Sequence, residues 1–135
     1  LLLMNKRILY ILFSLLIITS TADAHLYKEK EYQKHWCNLN NGHTEVILQD
    51  NTRIDCLTKD YAIEFDFANK WAESVGQSLY YAICTGKKAG VVLIMENGEK
   101  DLKYLKRLKT ISEIYNIQVW TITPKDMPRC SHCNN

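Results

Sequence analysis

Arg53-Ile-Asp-Cys-Leu-Thr-Lys-Asp-Tyr-Ala-Ile-Glu-Phe-Asp-Phe-Ala-Asn-Lys-Trp-Ala-Glu-Ser-Val-Gly-Gln-Ser-Leu-Tyr-Tyr-Ala82 is the stretch on which the rest of the chain is organised. Its first half alternates, its second half repeats at helical spacing. Thr52 to Leu57 reads as a strand, Thr58-Lys59-Asp60 as a turn, and Tyr61 to Phe65 as a second strand rich in aromatic and branched residues. Side chains on a strand alternate between faces, so Tyr61, Ile63 and Phe65 point one way and Ala62, Glu64 and Asp66 the other. On the neighbouring strand Arg53, Asp55 and Leu57 share a face. Pairing of the two strands would bring Asp55 near Glu64. From about Phe67 the period changes to that of a helix: Trp71, Val75, Leu79 and Ala82 form an apolar stripe for the core. Lys70, Gln77 and Tyr81 lie on a second, polar stripe, with Glu73 and Ser74 beside it.

Working towards the N-terminus, Thr44 to Gln49 alternates and joins the Thr52–Leu57 strand through Asp50-Asn51, a hairpin. His25 to Cys37 reads as a helix, closed by the turn-rich run from Asn38 to Gly42. Towards the C-terminus, Gly86 ends the long helix. Gly90 to Met95 is a continuous apolar run, the mark of a strand buried on both faces in a parallel pairing. Asn97-Gly98 turns. Lys100 to Tyr115 reads as a surface helix with Leu102, Leu105, Leu108 and Ile111 inward. Ile117 to Ile122 is a last strand. The order is helix, three strands, helix, strand, helix, strand. It predicts an α/β fold, a mixed β-sheet flanked by helices, because an antiparallel opening gives way to crossover helices.

The chain has 135 residues, enough for one domain, expected over residues 25–125 with a tail from 126 to 135. Leu1 to Leu3 precede Met4, which is expected to be the true start. Lys6-Arg7, the apolar run Ile8 to Ile18, and Ala22-Asp23-Ala24 predict a secretory signal over residues 1–24 that is removed ahead of His25. The rival reading is a membrane anchor, but the run is short of the ~20 residues a span needs. The protein is therefore expected to be periplasmic or secreted, with no stable membrane insertion. Removal takes Lys6, Arg7 and Asp23 from the 17 basic and 15 acidic residues and leaves 15 against 14, a net charge of +1. Bulk charge gives no nucleic-acid footprint. All five cysteines, Cys37, Cys56, Cys84, Cys130 and Cys133, follow the cleavage point. Export permits disulfides, and the odd number leaves at least one thiol outside them. A staple between Cys37 and Cys56 and a local one between Cys130 and Cys133 are the candidates. Cys130-Ser-His-Cys133 lacks the second ligand pair of a zinc site.

Two or three carboxylates converging at a strand edge suit Mg²⁺ or Mn²⁺, which prefer hard oxygen ligands. Asp55, Glu64 and Asp66 are the expected metal ligands. The pattern resembles the PD-(D/E)XK nuclease superfamily, in particular its RecB-like branch, over roughly Tyr32 to Met95. Asp55 stands where that family has its first acid, Glu64 where it has its second, and Gln77-Ser-Leu-Tyr-Tyr81 matches its Gln-x-x-x-Tyr helix. The resemblance implies a restriction-endonuclease-like core and a metal-dependent nuclease, with Asp55, Glu64, Lys70, Gln77 and Tyr81 as catalytic candidates. It also suggests a further acid on the first helix, Glu29 or Glu31, or Glu45 on the first strand. Independently of the resemblance, Arg53 is expected to pair with Glu45 or Asp55 or to touch phosphate. The family's motif lysine falls on Asp66 here, and Lys70, on the following helix, is placed to stand in for it. The alternative reading is a catalytically inactive, exported binding protein that retains the nuclease-like fold, with a protein rather than a nucleic acid as partner.

Overall fold

In the computed structural model the described residues are 24–129. The apolar part of the expected signal and the Cys130/Cys133 pair lie outside them. The elements are α1 (Glu29–Leu39), β1 (His43–Ile47), β2 (Arg53–Leu57), β3 (Tyr61–Phe67), α2 (Trp71–Thr85), β4 (Lys88–Ile94), α3 (Leu102–Tyr115) and β5 (Gln118–Ile122). Short 3-10 turns at Ala68–Lys70, Gly98–Asp101 and Pro124–Asp126 complete the path. The five strands form one mixed sheet in the order β1-β2-β3-β4-β5. β1 and β2, and β2 and β3, pair antiparallel, whereas β3, β4 and β5 run parallel. The expected mixed α/β sheet with flanking helices is the fold observed.

The apolar run sits where its composition requires. β4 lies between two parallel neighbours and is buried from Ala89 to Ile94. Val92 and Ile94 face one layer with Ile63, Phe65, Phe67 and Tyr32 of α1. Val91 and Leu93 face the other, with Leu108 of α3 and Trp71, Val75 and Leu79 of α2. Both crossover helices therefore cover one face and α1 covers the opposite one, as right-handed connections between parallel strands dictate. Gly86 closes α2 in the left-handed conformation, φ 67°, which glycine adopts without steric cost. Gly90 has a different reason: a Cβ there would lie 2.8 Å from the Trp120 ring and 3.0 Å from Ile63.

Cys37 and Cys56 form a disulfide that ties α1 to β2, and both are fully buried. Cys84 is a free, exposed thiol. Three expectations change. α1 begins at Glu29 rather than His25, because the backbone N–H groups of Leu26 and Tyr27 donate to the Glu96 carboxylate instead of starting a helix. β3 runs on to Phe67, which carries Asp66 inside the strand. Leu102 is 52 % exposed, and Tyr104 joins Leu105 on the packed face of α3 in its place. No described helix is long and apolar enough to cross a membrane.

Candidate active site

The site lies in a fork between β2 and β3. The paired positions are Cys56 with Ile63 and Leu57 with Ala62. Beyond them side chains replace the ladder. The Phe65 N–H donates to Asp55 Oδ2 at 2.9 Å, and the Asp55 N–H donates to Glu64 Oε1 at 3.4 Å. The fork is held open by α1, where the buried Gln33 donates from Nε2 to the Asp55 carbonyl at 2.6 Å. One residue after Asp55, the disulfide fixes the same strand to the same helix. Buried carbonyls and N–H groups need partners, and here those partners are the site's own side chains.

α2 roofs the fork. Ser74 and Ser78 are fully buried, and each hydroxyl donates back to the α2 backbone, at Trp71 and Val75. Side chains this small let the helix lie close to the acidic face of β3. The adjoining stripe then delivers Lys70, Glu73, Gln77 and Tyr81 into one cavity of about 560 Å³. Asp55, Glu64 and Asp66 form its floor, and Glu29, Asn51 and Arg53 stand at its edge. All five catalytic candidates and all three expected metal ligands therefore line a single cavity, contributed by β2, β3 and α2 with the turn before it.

The electrostatics are those of crowded acids under low solvation. Burial, reinforced by Asp55, pushes the Glu64 carboxyl up to about 9. Burial and then Glu29 push Asp66 up to about 7, against the lowering effect of Lys70. Asp55 is raised by burial, opposed by the Phe65 N–H. Glu29 is raised by burial and then by Asp55. Like charges out of water disfavour their own ionised forms. Groups so perturbed, gathered in a cleft, mark a candidate functional site on physical grounds.

The secondary candidates divide. Glu31 does not reach the cavity: its carboxylate accepts the Lys28 N–H at 2.7 Å and caps its own helix, while Glu29 is the α1 acid at the cavity edge. Glu45 is half-buried outside the cavity lining and pairs with the exposed Arg53 at 2.9 Å. Lys70 lines the cavity yet is exposed, and among the described residues it makes no ion pair within 4.0 Å. Gln33 was not legible as a site residue, because a lone glutamine on a helix carries no spacing signal.

Among the described residues no group of three or more His, Cys, Asp or Glu side chains is arranged to hold an ion as it stands. The donor set nonetheless suits a hard cation. Asp55, Glu64 and Asp66 offer only oxygen ligands, and each has one oxygen oriented by a backbone N–H, from Phe65, Asp55 and Phe67 respectively. Ligands orientated in this way are what a metal site requires of its surroundings. Comparison with protein-family models, with curated proteins and with solved structures found no match.

Proposed function

We propose that the β2/β3 fork is the active site of an exported, Mg²⁺- or Mn²⁺-dependent phosphodiesterase that hydrolyses nucleic acid on a restriction-endonuclease-like core. The convergence of Asp55, Glu64, Asp66, Lys70, Gln77 and Tyr81 in one cavity is the observation that carries this reading. Asp55, Glu64 and Asp66 would hold the cation, which when bound activates water and offsets phosphate charge. The raised pKa values of the acids fit this role, because a bound cation would relieve the repulsion that keeps protons on them. Lys70 supplies a further positive charge, on a flexible stem that reaches the phosphate or the attacking water. Gln77 and Tyr81 present an amide and a hydroxyl on the same wall and orient the sugar–phosphate backbone.

The competing reading, an inactive binding protein, draws on one observation: Lys70 is exposed and not ion-paired to the acids. The experiment uses the chain from His25 onward with Glu64→Ala in parallel, on single- and double-stranded DNA and on RNA, with Mn²⁺, Mg²⁺ or chelator. Metal-dependent cleavage lost in Glu64→Ala is expected. Absence of cleavage with either metal, from protein shown to be folded, selects the binding protein.

A further inference from the structure

On the far side of the Ala68–Lys70 turn from the acidic fork, the segment ahead of α1 is bound to one carboxylate. Glu96, just after β4, receives on Oε1 the N–H of Leu26 at 3.1 Å, the N–H of Tyr27 at 3.3 Å and the hydroxyl of Tyr32 at 2.7 Å. Its other oxygen, Oε2, faces His25 Nδ1 at 2.9 Å. The His25 ring lies flat on Phe67, with centroids 3.4 Å apart and planes 12° from parallel. The Glu96 side chain is 6 % exposed and that of His25 31 %. A buried carboxylate thus has one oxygen fixed by three donors and the other aimed at an accessible imidazole nitrogen.

We propose that His25, as the first residue of the processed chain, binds a borderline divalent cation, Cu²⁺ most tightly, through its α-amine, its Nδ1 and Glu96 Oε2. The proposal rests on cleavage after Ala24, the expectation drawn from Ala22-Asp23-Ala24, and is independent of the nuclease reading. An N-terminal histidine offers amine and Nδ1 on one residue, and the two close a six-membered ring on a metal. Adjacent ligands each ~2.0 Å from a metal lie ~2.8 Å apart when they subtend a right angle. The 2.9 Å between Nδ1 and Oε2 fits that spacing. Imidazole, amine and carboxylate together select late first-row divalent ions, with Cu²⁺ bound above Zn²⁺. The three donors on Oε1 and the Phe67 ring are the outer shell that orients both ligands. A cavity of about 250 Å³ opens beside His25 and Glu96 and leaves room for water to complete the coordination. Only two side chains converge here, so the α-amine is the ligand on which the site depends.

The test takes the chain in a Cys84→Ser background, to remove the exposed thiol that Cu²⁺ oxidises, and recovers it after export. Intact mass establishes whether it begins at His25. Cu²⁺ is then titrated and followed by electron paramagnetic resonance and by thermal unfolding. Three comparison chains are used: His25→Ala, Glu96→Gln, and a chain that keeps residues 19–24 ahead of His25 and so carries its amine elsewhere. The expected result is one equivalent of Cu²⁺ with nitrogen hyperfine structure, raising the unfolding temperature. Affinity should fall by at least about tenfold in Glu96→Gln, and further in His25→Ala and the extended chain. A mature start other than His25 overturns the proposal at its first step. A correct start with Cu²⁺ bound no more tightly than by the extended chain overturns it at the second, and leaves the His25–Glu96 contact as a hydrogen-bonded latch.

Discussion

Removing the charge at Glu64 should stabilise the metal-free protein, and more so as pH rises. The Glu64 carboxyl stands at about 9 in the folded chain against an ordinary value of 4.5. Between those values the folded state binds the proton more tightly than the unfolded state, so stability declines as pH climbs through the window. At pH 8 the separation of 3.5 units corresponds to about 5 kcal/mol at 1.36 kcal/mol per unit. That is a ceiling, because Glu64 and Asp55 titrate together; a working range is about 2–5 kcal/mol, a large part of a typical domain's stability. Glu64→Gln keeps the shape and an oxygen to accept the Asp55 N–H, and cannot ionise. Urea unfolding in chelator at pH 5 and pH 8, with the disulfide intact, reads the effect. Wild type should lose stability relative to Glu64→Gln between the two pH values, and the gap should nearly close at pH 5. Parallel pH profiles for the two proteins would refute the buried-acid reasoning.

Three further outcomes follow from local geometry. The disulfide spans 19 residues, so replacing Cys37 and Cys56 with alanine should cost about 3 kcal/mol in urea unfolding; a cost below about 1 kcal/mol would contradict its role in holding α1 on β2. Gly90→Ala brings a Cβ to 2.8 Å from Trp120 and should destabilise by about 1–3 kcal/mol, visible as a lower melting temperature. Lys70→Ala should leave stability within about 0.5 kcal/mol, since Lys70 is exposed, yet lower metal-dependent cleavage by about 10²-fold or more. Equal cleavage by both proteins would remove Lys70 from the mechanism.

The fold was legible where one short-range pattern decides the outcome. The Gly90–Met95 run is short, rich in branched residues and without a polar break, which favours a strand covered on both sides, and it is the parallel strand at the heart of the sheet. The alternation of Tyr61–Phe67 placed Glu64 and Asp66 on one face before any contact was known. The Gln77/Tyr81 stripe followed from helical spacing alone. What stayed hidden depends on partners distant in sequence. His25–Tyr27 look helical until Glu96, about 70 residues away, takes their donors. Glu29 and Glu31 differ by two positions on one helix, roughly 200° of rotation, and only the docking of α1 decides which meets the cavity. Leu102 fits the apolar repeat of α3, but it is the first residue of the helix and stays 52 % exposed, while Tyr104 and Leu105 one turn on meet the core. Gln33 acts by satisfying one backbone carbonyl, a need that arises only because β2 and β3 diverge.

Crystals grown from the chain beginning at His25 and soaked in Mn²⁺, measured for anomalous scattering, test the central claim most directly. The account predicts a peak in the β2/β3 fork ~2.2 Å from carboxylate oxygens of Glu64 and of Asp55 or Asp66, absent in Glu64→Gln. No peak there at Mn²⁺ concentrations that support cleavage, or a peak unchanged in Glu64→Gln, would contradict it.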